Sequence, residues 1–160
     1  MGRVAVPVEE RFWQKVEKTE TCWLWSGHIN FGGYGKVTVN YKSQFAHRVS
    51  YQITKGEIPD GMFVDHICHN RACVNPAHLR LATNKQNHEN LSGAPANSTS
   101  GIRGVSWRKA SGKWEARVGH NGHKYYLGMF DDIKLAEAAV VAKRNELFTH
   151  NILDRMAETK

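Results

Sequence analysis

The stretch from Asp65 to Leu79 constrains this chain more than any other. Two of its three cysteines, Cys68 and Cys73, are separated there by four residues, and four more separate Cys73 from His78. Intervals that short let the chain wrap its ligands around one ion. Cys22, in the preceding β-like run, can supply a fourth corner. An odd number of cysteines argues against a disulfide framework. Three thiolates with one imidazole would make a closed structural zinc site, Cys22, Cys68, Cys73 and His78. Spacing alone leaves an alternative open: three buried thiols and a surface histidine.

A structural metal would suit the size of the parts. A chain of 160 residues holds one ordinary domain or two small ones, and small domains bury too little surface to be comfortably stable unaided. The segment 93–101, GAPANSTSG, is small, polar and uncharged, and reads as a linker. It divides the chain into a domain at 1–92, a second at 102–150 and a tail at 151–160. In the first, a helix is expected over Glu9–Lys18, β-like runs over 22–27 and 33–40, and a helix over 46–56 ended by Gly56. A strand over 62–67, a turn-rich stretch and a helix from about Asn84 to Leu91 follow. Thr83 and Gln86 give that last helix a capping-box start. In the second domain, β-like runs near 102–108, 113–119 and 123–129 precede a helix of about 132–149, entered through Asp131. The expected class is α+β in both parts.

The formal net charge is +7 and the pI near 9.5, a field that attracts nucleic acid by counterion release, although many basic proteins bind none. No apolar run approaches the 18 residues of a membrane span. The N-terminus lacks the apolar core of a signal peptide, so a cytoplasmic location is expected.

Asp65, His66 and Asn87 form a second constellation. Asp and Asn oxygens suit a hard cation such as Mg²⁺, and a neutral imidazole beside such an ion can take a proton from water. Neighbours on a regular strand point to opposite faces, so Asp65 and His66 serve one site only where the strand ends or twists. Ordinary readings stand beside this one: a turn aspartate, a satisfied core histidine and a helix asparagine.

The segment from Trp23 to Leu91 resembles the HNH, or ββα-metal, nuclease family. The residues that carry the likeness are Ala46-His47-Arg48, Val64-Asp65-His66-Ile67, Asn75-Pro76-Ala77-His78-Leu79 and Thr83 to Asn90. The run Cys68 to His78 also resembles the first zinc cluster of His-Cys box homing endonucleases, in which an upstream cysteine completes the site. The resemblance implies that His66 is the general base and that Asp65 and Asn87 hold a catalytic Mg²⁺ or Mn²⁺. It implies that Asn75 orients the hairpin and the histidine, and that Cys22, Cys68, Cys73 and His78 hold Zn²⁺. Arg48 is a candidate phosphate clamp. The second zinc cluster of the His-Cys box proteins is missing, and His88 stands beside Asn87 as an alternative ligand.

Arg103-Gly104-Val105-Ser106-Trp107-Arg108, Gly112 to Val118 and Tyr125 to Phe130 resemble the plant APETALA/ethylene-response-factor domain, which lays a three-stranded sheet in the DNA major groove with one helix behind it. Alternation puts Ser106, Arg108, Lys113, Glu115, Arg117, Lys124 and Tyr126 on one polar face, and Arg103 matches a contact position by motif. Val105, Trp107, Trp114, Ala116, Val118, Tyr125 and Leu127 face the helix. Ser106 and Gly119 fall where the plant domains carry basic side chains. A metal-dependent, homing-like DNA endonuclease of phage or mobile-element type is the expected function, acting on double-stranded DNA. A catalytically inactive DNA-binding regulator is the alternative, and a zinc-stabilised module for RNA or protein a further one. Cutting both strands would take a homodimer or sequential nicks.

Overall fold

Strands of three or four residues do not hold themselves, so the first half of the chain is a set of small hairpins packed around aromatic side chains. The computed structural model describes residues 6–91 and 93–157. In chain order the elements are α1 (Val8–Trp13), β1 (Val16–Lys18), β2 (Trp23–Trp25), β3 (Lys36–Val39), β4 (Lys42–Phe45), α2 (Ala46–Lys55) and β5 (Phe63–His66). A 3-10 turn (Pro76–His78), β6 (Leu79–Ala82) and α3 (Asn84–Glu89) come next. Then follow β7 (Val105–Arg108), β8 (Lys113–His120), β9 (His123–Phe130), α4 (Ile133–Leu147) and α5 (Ile152–Ala157). Among the described residues no helix is long and apolar enough to cross a membrane.

By contacts the chain divides into two compact units, Met1–Asn84 and Lys85–Lys160. The division falls ahead of residue 92, the limit expected from the linker. The reason is local: Glu89 of α3 accepts hydrogen bonds from Thr149, far along the second half.

In the first unit β1 pairs antiparallel with β2, Val16 opposite Trp25. The helix expected through Lys18 therefore stops at Trp13. β3 and β4 form a hairpin whose turn residues, Asn40 and Tyr41, both have positive φ, 49° and 61°. Two such residues are the signature of a type I′ turn, here without the glycine that usually announces it. Phe12, Trp25, Ala46, Val49 and Val74 make the main core, with the Phe12 and Trp25 rings stacked at 4.9 Å. Full burial of each large apolar side chain there stabilises by roughly 1.5–3 kcal/mol. Gly35 lies against that core: a Cβ would come within 2.7 Å of Trp25 and 3.0 Å of Ala46. A smaller cluster of Tyr51, Val64 and Leu79 ties α2 to the β5–β6 pair.

In the second unit β7, β8 and β9 form one antiparallel sheet. A bulge interrupts the β8–β9 register: Ala116 faces Gly128 and Arg117 faces Tyr126, leaving Leu127 as the extra residue. Gly128 takes φ 126° there, which a side chain would oppose. Val105, Ala116 and Val118 are buried with Ala136 and Val140 of α4 and with Phe148. The N-cap of α4 is Asp132, whose Oδ1 accepts the Lys134 N–H at 2.8 Å; the entry expected at Asp131 is one residue early. α5 occupies much of the segment read as a tail.

Candidate active site

The segment 72–74 anneals to β2 as an irregular third strand. Trp25 N–H donates to Ala72 O at 3.0 Å, and Val74 N–H donates to Trp23 O at 2.7 Å. That pairing brings Cys73 beside Cys22. Asn75 caps the 3-10 turn by accepting the Ala77 N–H at 3.0 Å, and its Nδ2 donates to Thr21 O at 3.1 Å. The turn then delivers His78 to the two cysteines. The ligand atoms of Cys22, Cys68, Cys73 and His78 all lie within 4.8 Å of one another. His78 Nδ1 stands 3.7 Å from Cys22 Sγ and 3.6 Å from Cys73 Sγ. Bond lengths of about 2.3 Å to sulfur and about 2.0–2.1 Å to nitrogen give a tetrahedral ion S···N edges of roughly 3.6 Å. The cluster fits a structural zinc by distance as well as by donor type. Burial pushes the Cys73 thiol up to about 12, so a cation, not neutral water, would hold it as thiolate. The Asn75 N–H lies 3.4 Å from the same sulfur.

The strand that carries Asp65 and His66 ends at His66, directly before this loop. Both residues are buried, at 6% and 7% exposure. Asp65 Oδ2 accepts from Arg80 Nε at 3.0 Å, with Arg80 Nη2 at 2.9 Å, across the β5–β6 pair. His66 places one ring nitrogen 3.0 Å from the carbonyl of Cys73. A carbonyl only accepts, so that nitrogen carries the proton and the opposite one bears the lone pair. Burial lowers the His66 pKa, against the Cys73 carbonyl and Asp65, which raise it; the ring is held neutral. The zinc-type loop thus fixes the tautomer of the expected base.

The sequence reading missed the surroundings of that base. His47 of α2 lies with its ring centroid 4.6 Å from that of His66, and Tyr34 stands 5.6 Å and 6.1 Å from the two. His47 is 6% exposed, and burial together with His66, Arg48 and Lys36 lowers its pKa to about 3. The only hint was its place in Ala46-His47-Arg48, where periodicity marks it as a helix residue and nothing more. Arg48 is half-buried on α2. Arg80, the partner of Asp65, was also unforeseen; strand β6 itself was not expected. Asn75 is placed on the Thr21 carbonyl and beside the Cys73 sulfur of the zinc-type cluster. Asn87 is half-buried and His88 exposed, both on α3.

In this arrangement residues 44–89 match the HNH endonuclease family. Protein 3.8 of Escherichia phage T7 is 32% identical over 107 residues, covering 67% of this chain and 87% of that protein. The chain belongs to the HNH endonuclease family. The chain is also similar to Protein 7.7 of Escherichia phage T7, 44% identical over 45% of this chain and 55% of that protein. An uncharacterised HNH endonuclease of Acanthamoeba polyphaga mimivirus is 38% identical over 59% of this chain and 48% of its own length. The chain thus spans about half the length of these last two relatives.

On the sheet of the second unit, Ser106, Arg108, Arg117, Lys124 and Tyr126 are exposed and Lys113 half-buried. Glu115, buried at 4%, lies in their midst and pairs with both Arg108 and Arg117. Its carboxylate orders two arginines on one face, a role the alternation did not single out. Arg103 makes protein contacts of its own. Its guanidinium donates to the carbonyls of His88 and Glu89 at 3.0 and 3.1 Å. Motif position had suggested DNA contact for it; here it caps the C-terminal end of α3.

Proposed function

We propose that this protein is a metal-dependent DNA endonuclease that hydrolyses phosphodiester bonds. It is homing-like, of phage or mobile-element type, and works on double-stranded DNA in the cytoplasm of a cell. The observation that carries the reading is the buried, neutral His66 with one nitrogen satisfied by the Cys73 carbonyl, inside the HNH match. His66 takes a proton from water, and the hydroxide attacks phosphorus in line as the bond to the 3′ oxygen breaks. Asp65 and Asn87 offer the oxygen donors that a hard cation prefers, and would hold Mg²⁺ or Mn²⁺. When bound, that ion supplies stabilisation of the charge developing at the scissile phosphate. Arg48 is proposed as a phosphate clamp and Asn75 as the brace of the zinc loop.

The C-terminal sheet, APETALA-like in this reading, aids site preference through Ser106, Arg108, Lys113, Arg117, Lys124 and Tyr126. One chain carries one such centre, so a double-strand break takes a homodimer or two successive nicks. The test separates binding from chemistry. His66→Ala should bind duplex DNA in EDTA as tightly as the parent chain, yet cut about 10²–10⁴ more slowly with Mg²⁺. Parent-like cutting by His66→Ala would refute the assignment of the base.

A further inference from the structure

Between Glu20 and Glu57 the chain carries no acidic residue, while Lys36, Lys42, Arg48 and Lys55 all fall inside that stretch. Within it a short hairpin leads into β3. The Ile29–Gly35 bridge closes the hairpin, with Asn30 N–H donating to Tyr34 O at 2.9 Å and Lys36 N–H to His28 O at 2.8 Å. Its tip is a β-turn over 30–33, in which Gly33 N–H donates to Asn30 O at 2.9 Å. Asn at the first position and Gly at the fourth are residues such a turn favours. The Asn30 side chain accepts a further bond of 2.9 Å from the Tyr34 N–H. Phe31 takes the first corner of this turn, a place that asks for no aromatic ring. It is 111% exposed, as open to water as in an extended peptide.

Arg71 fixes the tip. It lies between Cys68 and Cys73 in the zinc-type loop, and its Nη1 donates to Gly32 O at 3.0 Å. Its guanidinium stands 5.4 Å from the Tyr34 ring, and Tyr34 in turn borders His47 and His66. The Cys73 carbonyl that holds the His66 tautomer belongs to the same loop. Phe31 is therefore presented by a turn tied to the loop that fixes the expected base. A large apolar ring kept in water forgoes the gain of burial until a partner covers it. An acid-free, cationic stretch of chain attracts a polyanion, and a flat aromatic ring finds its match in the faces of bases.

We propose that Phe31 is a DNA wedge: its ring enters a base-pair step of the duplex near the bond to be cut, unstacking that step and bending the DNA. This rests on the reading of the protein as a DNA endonuclease. A wedge reads deformability and not base edges, so it favours flexible pyrimidine–purine steps at the cleavage site. It gives the N-terminal unit a site preference of its own.

The experiment measures duplex binding by the full chain without added divalent ions, and cutting of supercoiled plasmid with Mg²⁺. Phe31→Ala, Phe31→Trp and Tyr41→Ala are compared with the parent chain. Tyr41 is the control: it is 102% exposed, but it lies in the β3–β4 turn, at the other end of β3 from the Phe31 tip. Phe31→Ala should weaken duplex binding by about tenfold at every salt concentration. The slope of log K against log salt should not change, because no charge is lost. Closed-circular plasmid relaxed by a topoisomerase with the parent chain bound should shift in linking number, since an unstacked step untwists the duplex. Phe31→Ala should lose that shift and Phe31→Trp keep it, both with parent-like zinc content and circular dichroism.

Parent-like binding and linking number in Phe31→Ala, with a parent chain that cuts plasmid, overturns the wedge and leaves the nuclease reading intact. An equal loss in Tyr41→Ala overturns it as well, since apolar adhesion would then explain both. A lower salt slope in Phe31→Ala would assign the loss to displaced cations and likewise overturn it. A parent chain that neither binds nor cuts DNA removes the nuclease reading, and the wedge with it.

Discussion

Acid should weaken the N-terminal unit through His47. Its ring is buried among Tyr34, Phe45 and His66, with Nδ1 lacking a hydrogen-bond partner among the described residues, and its pKa falls from 6.5 to about 3. Between those values the unfolded chain binds a proton at His47 and the folded chain does not. Stability therefore rises with pH across that window and is lost as pH falls below 6.5, by up to about 1.4 kcal/mol per unit. Between pH 7 and pH 5 the loss integrates to about 2 kcal/mol, a large part of the 5–15 kcal/mol typical of a domain. His47→Leu, close in volume and without a proton to bind, should remove that share. Urea unfolding read by pulse hydrogen exchange of α2 peptides follows this unit apart from the other. Zinc ligands add their own acid sensitivity, equal in both proteins, so the difference isolates His47. Equal losses in the parent chain and His47→Leu would refute the reasoning.

Cleavage should outlast the ordinary titration of histidine. Burial, opposed by the Cys73 carbonyl and Asp65, lowers the His66 pKa, so the acid limb of kcat/KM should have its midpoint below pH 6.5. A midpoint at or above 6.5 would contradict the burial argument. Cys68→Ala should lose the zinc found by elemental analysis at one per chain. It should also unfold the N-terminal unit by circular dichroism, since structural zinc is worth about 10–16 kcal/mol of apparent binding free energy; a zinc-free parent chain would overturn this. Arg108→Ala should weaken duplex binding and lower the slope of log K against log salt by about 0.9, if that side chain neutralises one phosphate. Fluorescence anisotropy at several salt concentrations measures it, and an unchanged slope removes Arg108 from the phosphate contacts.

The zinc-type cluster was legible because its chemistry resides in residue types at short intervals; only Cys22 had to be brought from afar, and the pairing of 72–74 with β2 does that. Long or glycine-bounded elements were legible too, such as α2 stopping at Gly56 or the strands that became β8 and β9. The short strands β1, β4 and β6 were not, since three or four residues carry too little periodicity and form only when a partner is present. Tyr41 at positive φ hid the β3–β4 turn. His47 was hidden for another reason: a histidine on a helix looks alike whether it faces solvent or the base of the site. The sequence places Arg103 at a strand start, but the destination of its guanidinium depends on where α3 ends.

The most direct measurement incubates the purified chain with supercoiled plasmid and with genomic DNA, in Mg²⁺ and in EDTA. Nicked or linear products that appear with Mg²⁺ and vanish with EDTA are the result expected of an HNH endonuclease built as described. Intact DNA in every lane, from a folded chain that carries its zinc and binds the duplex, would contradict the proposal that this protein cuts DNA.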